Sequence, residues 1–209
     1  TDVVQHESLR SIYNNLEERI MMNQDLIQRL REKEQKMIEI RRYLHEHPEL
    51  SFHEITTPQY IAEFYQHKDC DVETNVGPNG VKVTIDSGNP GKTIAIRADF
   101  DALPIQEQTG LPFASMNEGV MHACGHDAHT AYMLILGESL IEMKDQLQGK
   151  VVIIHQPAEE MPLGGAQGMI KDGVLEGVDY VLGCTCDEYY GSRKSFLPSR
   201  ICSNRTCLF

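Results

Sequence analysis

The stretch "MHACGHDAHT", residues 121–130, places three histidines, a cysteine and an aspartate within ten positions. Cys124 and His126 are separated only by Gly125, whose lack of a side chain lets the backbone turn tightly between them. A thiolate and an imidazole are a donor pair suited to zinc and other borderline transition metals. Two acidic pairs carry complementary chemistry. Glu159-Glu160 offers one carboxylate to hold a cation and a second to take a proton from water, whose pKa falls to about 7 on zinc. Asp99 and Asp101 lie two apart, share a face in extended backbone, and one of them can orient a histidine ligand.

Taken singly, each signal has a plainer reading. Cys-x-His is often a packed thiol beside a surface histidine, Glu-Glu after a strand a solvated loop, and Asp-x-Asp a turn. Their weight comes from falling together at strand ends. His122 and His129 are weaker candidates: His129, three residues beyond His126, either lines the site or sits on a helix surface. His155, ahead of Gln156-Pro157, reads as a packing residue.

The elements that must carry these residues can be read from periodicity. Residues 7–45 lack Pro and Gly, and Leu9, Leu16, Ile20, Ile27, Leu30 and Leu44 fall on a helical stripe broken at Asn23, Glu34 and Arg41. This predicts an N-terminal amphipathic helix ended by His47-Pro48. It either packs on its own domain or forms a short coiled coil that mediates self-association. The spacing then predicts a helix over 58–68, a strand and turn over 80–88, and a strand running into a loop over 92–104. A loop over 105–121, a helix over 127–147, a buried strand over 150–156, a helix over 164–177 and a second buried strand over 178–183 follow. Strands alternating with helices predict an α/β domain with a parallel or mixed sheet. "RADFDALP", "HACGHD" and "QPAEE" then collect around the strand ends, where open α/β sheets bind ligands.

Composition narrows the class. Hydrophobic residues make up 41% and charged residues 24% of the 209, as in ordinary globular proteins. A net charge of −12 speaks against nucleic acid or an anionic membrane as partner. No apolar run approaches the roughly 18 residues of a bilayer span, and no export signal is recognised, so a cytoplasmic location is expected. Accordingly the six cysteines read as thiols.

Taken in order, "IRRYLHEHPELSFHE" (40–54), "IRADFDALPI" (96–105), "MHACGHDAHTAYML" (121–134) and "HQPAEE" with "GGAQGMIKDGVLEGVDYVLG" (155–183) resemble one family. It is the dinuclear-metal amidohydrolases that include hippurate hydrolase, N-acyl-amino-acid amidohydrolase, plant auxin-conjugate hydrolase and N-acetyl-diaminopimelate deacetylase. The resemblance covers about residues 38–183. It implies a three-layer catalytic domain, a central mixed sheet between helices as in dinuclear zinc exopeptidases, interrupted in the family by a lid that this chain lacks. It also implies roles: Cys124 as the bridging metal ligand, His126 and Glu160 as further ligands, Glu159 as general base and Asp101 as the supporting aspartate. Two divalent ions (zinc, manganese, nickel or cobalt) would activate water against the amide of an N-acyl amino acid, a small-molecule substrate.

The same resemblance divides the chain into a helical extension (1–37), the N-terminal part of the catalytic domain (38–183) and an aberrant tail (184–209). The family places a histidine ligand where this chain has Thr185. Codons that encode Thr185 to Tyr190 can, read one base later, encode "HVMSTM", which begins with that histidine. The expectation is a frameshifted, truncated hydrolase with little or no activity. The cysteine-rich tail (Cys184, Cys186, Cys202, Cys207) is then an out-of-frame product, not a second zinc site. The alternative is a non-catalytic fragment that binds metal or self-associates.

Overall fold

The computed structural model describes residues 20–183 and a short strand at 200–203. The rest of the tail, Thr185 included, and most of the first half of the N-terminal stripe lie outside the described residues. Among those described, no helix is long and apolar enough to cross a membrane.

Helix α1 (residues 20–32) runs into α2 (Glu34–Glu46) with only Lys33 out of regular geometry. The Lys33 N–H is shared between the carbonyls of Arg29 and Leu30, and the Met37 N–H returns to the Lys33 carbonyl, so the hydrogen bonding runs on across the break. From Leu26 onward the apolar stripe packs against the domain core, with Leu30, Met37, Ile40 and Leu44 in the same cluster. The helix therefore meets its own domain. Its polar edge is tied to α4 by Lys36 to Glu138 at 2.8 Å and Lys33 to Glu142 at 2.5 Å. It ends at Glu46, directly before His47-Pro48, as the sequence requires.

After α3 (Thr56–Tyr65) come β1 (Asp71–Val76), β2 (Gly80–Asp86), β3 (Thr93–Asp99), α4 (His126–Glu142), β4 (Lys150–Gln156), α5 (Gly164–Lys171), β5 (Tyr180–Gly183) and β6 (Arg200–Ser203). They form one mixed sheet in the order β1-β2-β4-β3-β5-β6. β4, β3 and β5 run parallel, while β1, β2 and β6 pair antiparallel at the two flanks. Alternation along β4 sorts its side chains. Ile153 packs with α2, α3 and α4, while Val152 and Ile154 face the smaller cluster with Met169 of α5. A strand covered on both faces has no polar side, which explains the unbroken "VVII". The described residues form this three-layer α/β domain, and no lid domain is among them.

Several elements differ from expectation: α3 ends at Tyr65 and not at 68, and β6 forms within the tail, where no strand was expected. β1, "DVETNV", escaped notice because only Val76 is fully buried and only Val72 half-buried; it is an edge strand whose other side chains are exposed and polar. α4 stops at Glu142, and a single 3-10 turn (Lys144–Gln146) follows, leading to the left-handed Gly149. α5 stops at Lys171 because Gly173 and Gly177 both take positive φ, which ends a helix. β5 is half-buried with Tyr180 exposed, so it is not the buried strand its apolar sequence suggests.

Candidate metal centre

Parallel β3 and β4 end side by side, with Asp99 opposite Gln156. The chain beyond β3 carries Asp101, and the turn beyond β4 carries Glu159 and Glu160. Between Cys124 and the first turn of α4, Gly125 takes φ +89°, a left-handed conformation that glycine adopts without strain. This reversal starts α4 at His126 and turns its imidazole toward both strand ends.

Asp101 organises the site. Its Oδ1 lies 3.1 Å from His126 Nδ1, and its backbone carbonyl lies 2.9 Å from the same nitrogen. Its Oδ2 accepts the Ser51 hydroxyl at 2.6 Å and the Glu160 N–H at 3.0 Å. Burial alone would raise this carboxyl, but the bonds from His126, Glu160 and Ser51 prevail and hold it at about 2. Burial likewise pushes His126 down, yet Asp101 and the charges of Asp99 and Glu160 lift it to about 9.

With Nδ1 engaged, His126 Nε2 lies among carboxylates, 3.5 Å from Asp99 Oδ1. It lies 3.8 Å from Glu160 Oε1 and 4.0 Å from Glu159 Oε2. Glu160 Oε1 is buried and has no hydrogen-bond partner. Ligand atoms of Cys124, His126 and Glu160 lie within 4.8 Å of one another. The exposed Cys124 thiol is pushed up to about 12, first by desolvation and then by Glu160, Asp99 and Glu159. A thiol, an imidazole with its other nitrogen oriented by a carboxylate, and a buried carboxylate oxygen without a hydrogen bond fit a transition-metal cation, whose charge would take the place of the His126 proton. Glu159 differs from its neighbour: its side chain is 41% exposed, and burial with the charge of Asp99 raises its carboxyl above the ordinary value.

The structure thus brings together all five residues singled out from sequence: Cys124, His126, Glu159, Glu160 and Asp101. His129 is a buried member of the same region and not a surface residue. Its Nδ1 lies 2.6 Å from Asp99 Oδ1, and its ring stacks on His126 at 5.6 Å. Asp99, His126 and His129 form a second compact group of donor atoms, but Arg97 at 2.8 Å already neutralises Asp99. His155 is fully buried, as expected of a packing residue. His122 is buried behind the site, where desolvation lowers it to about 4.

Sequence reasoning missed three supports. Ser51 and Glu54 lie on a turn without periodicity, so nothing marks them as inward. His45 Nδ1 lies 2.8 Å from Asp127 Oδ2, and His45 Nε2 lies 3.3 Å from Glu107, which joins α2 to the start of α4 and to the 105–121 loop. A histidine on the apolar side of an amphipathic helix was the available signal.

Comparison with known proteins agrees with this architecture. Residues 95–196 match the family model described as Peptidase family M20/M25/M40. The N-acyl-L-amino acid amidohydrolase of Geobacillus stearothermophilus is 45% identical over 146 residues, covering 68% of this chain and 39% of that protein. Among solved structures, an aminohydrolase from methicillin-resistant Staphylococcus aureus superposes with a TM-score of 0.77 at 74% identity, covering 78% of this chain and 42% of that one. The Bacillus subtilis YXEP protein, described as a dinuclear metal binding peptidase from the M20 family, gives 0.70 at 44% identity, covering 73% and 43%. The chain spans between 36% and 44% of the length of the curated relatives it matches. The chain belongs to the M20 family of amidohydrolases and peptidases.

Proposed function

We propose that this chain is the N-terminal part of a metal-dependent amidohydrolase that cleaves the amide of N-acyl amino acids, a non-peptide C–N bond. One observation carries the reading. Glu160 Oε1 is buried without a hydrogen bond and lies 3.8 Å from His126 Nε2, while adjacent Glu159 stands open to solvent. That split suits one carboxylate to a cation and the other to proton transfer.

Cys124, His126 and Glu160 would hold a divalent transition metal, which when bound lowers the pKa of water and polarises a carbonyl. Asp101 keeps His126 Nδ1 engaged, so that Nε2 is the nitrogen left to coordinate. Glu159, with its raised carboxyl, takes a proton from the attacking water and returns it to the departing nitrogen as the carbonyl C–N bond breaks. The N-acyl substrate class is supported by the Geobacillus relative. The acidic face around Asp99, Glu159 and Glu160 would repel a free carboxylate, so charge compensation from bound metal belongs to substrate binding as well.

On this reading, activity belongs to the longer protein, and the 209 residues alone are expected to turn over little. The test compares hydrolysis of N-acetyl- and N-benzoyl-amino acids by this chain and by a version joined to the matching C-terminal portion of a relative, each with zinc, manganese or cobalt. The joined protein is expected to be active, and Glu159→Gln within it to lose about a hundredfold or more in kcat. Turnover by the short chain near that of the joined protein, or an unimpaired Glu159→Gln, would contradict the proposal.

A further inference from the structure

Glu54 is a buried acid with no part in the chemistry above. It is 2% exposed and lies just before α3. Its Oε1 accepts the backbone N–H of Ala158 at 2.8 Å, across 104 positions of sequence, and its Oε2 is buried without a partner. Burial pushes this carboxyl up to about 7, a cost that a residue serving only to fill space would not bear.

Ala158 is the residue that turns the chain from β4 toward Glu159 and Glu160. It is buried at φ +51°, a left-handed conformation that is strained for a non-glycine residue and persists only where its surroundings enforce it. Both of its peptide groups are held. The carbonyl accepts the Gly165 N–H at 3.0 Å, and the N–H is held by Glu54 alone. Two residues on, the Glu160 N–H is fixed by Asp101.

Glu54 is itself anchored. Glu49 accepts the N–H groups of Ile55, Thr56 and Thr57 at the start of α3, and the Asn79 amide donates to the Glu54 carbonyl. Ser51, in the same turn, donates to Asp101. Segment 49–54 thus touches the loop beyond β3 through Ser51 and the loop beyond β4 through Glu54.

We infer that Glu54 is a positioning residue: by holding the Ala158 N–H it enforces the left-handed turn that sets Glu159 and Glu160 against His126. The consequence for metal binding rests on the proposed roles of Glu160 and Cys124; the hold on the turn does not.

Two variants separate acceptor from bulk and charge. Glu54→Gln keeps an oxygen at the same reach, whereas Glu54→Asp keeps the charge but is one methylene too short to meet Ala158. Amide hydrogen exchange on the metal-free chain reads the turn directly. Glu54→Asp is expected to speed exchange at both Ala158 and Glu160 by about tenfold or more, with the central strands unchanged, and Glu54→Gln to restore protection. Cobalt(II) alone serves as the metal probe, and Glu54→Asp is expected to weaken its binding by about 10-fold, with Glu54→Gln close to the parent. Unchanged exchange at Glu160 in Glu54→Asp, or a Gln variant that behaves like the Asp variant, overturns the inference. If the parent chain binds no cobalt while exchange responds as expected, the metal reading fails and the positioning role stands.

Discussion

Metal affinity of this chain should rise about 100-fold for each pH unit between pH 7 and 8.5, then only about 10-fold per unit above pH 9.5. The sign follows from which groups hold protons before the cation arrives. His126 keeps its proton up to about 9 because Asp101, Asp99 and Glu160 surround it with negative charge. Cys124 keeps its thiol proton up to about 12 for the same reason and because of desolvation. Both must deprotonate to coordinate, so two protons leave on binding below pH 9 and one leaves above it. Affinity therefore rises with pH, with a slope that breaks near the His126 value. Calorimetry in buffers of different ionisation enthalpy measures the released protons directly. Release of only about one proton or fewer at pH 7.5, in place of about two, would show that His126 and Cys124 are not both ligands.

Removing Asp101 should be the most damaging single substitution in the site. Its carboxylate meets His126, Ser51 and the Glu160 N–H in buried surroundings, so Asp101→Ala strands three polar groups at once. Deleting one partner of a buried ion pair costs about 3–5 kcal/mol, chiefly from the uncompensated partner. The pH window for this loss can be worked out. Asp101 is depressed from 3.8 to about 2, so its contribution is present above about pH 4 and lost as pH falls toward 2. His126 is raised from 6.5 to about 9, so its contribution is present below about pH 6.5 and lost as pH rises through 9. The metal-free Asp101→Ala chain should therefore differ most from the parent between pH 4 and 6.5. Urea unfolding across pH 3–9 measures this, and a difference under about 1 kcal/mol at pH 5.5 would mean that the Asp101–His126 contact is not formed.

Much of this was legible before any coordinates, for identifiable reasons. The buried strand at 150–156 announces itself because both faces are covered, and Gly125 because no other residue turns so freely between two donors. The five candidate residues could be picked out because metal and acid–base chemistry restrict residue type, with their separate roles implied only by the family resemblance; the structure shows that they lie together. Edge strand β1 could not be read, because its outward side chains obey no apolar rule. The depth of His129 was equally hidden: its burial depends on where α4 lies against β3, which no local pattern encodes. Ser51 and Glu54 act through single hydrogen bonds to residues 50 and 104 positions away, contacts that only the assembled fold creates.

The claim that Cys124, His126 and Glu160 form a metal centre is tested most directly by titrating the chain with cobalt(II) and watching the near-ultraviolet thiolate-to-cobalt charge-transfer band. The geometry predicts a saturable band that disappears in Cys124→Ser and weakens in Glu160→Gln. No band, or a band that survives Cys124→Ser and so arises from one of the other five cysteines, would contradict it.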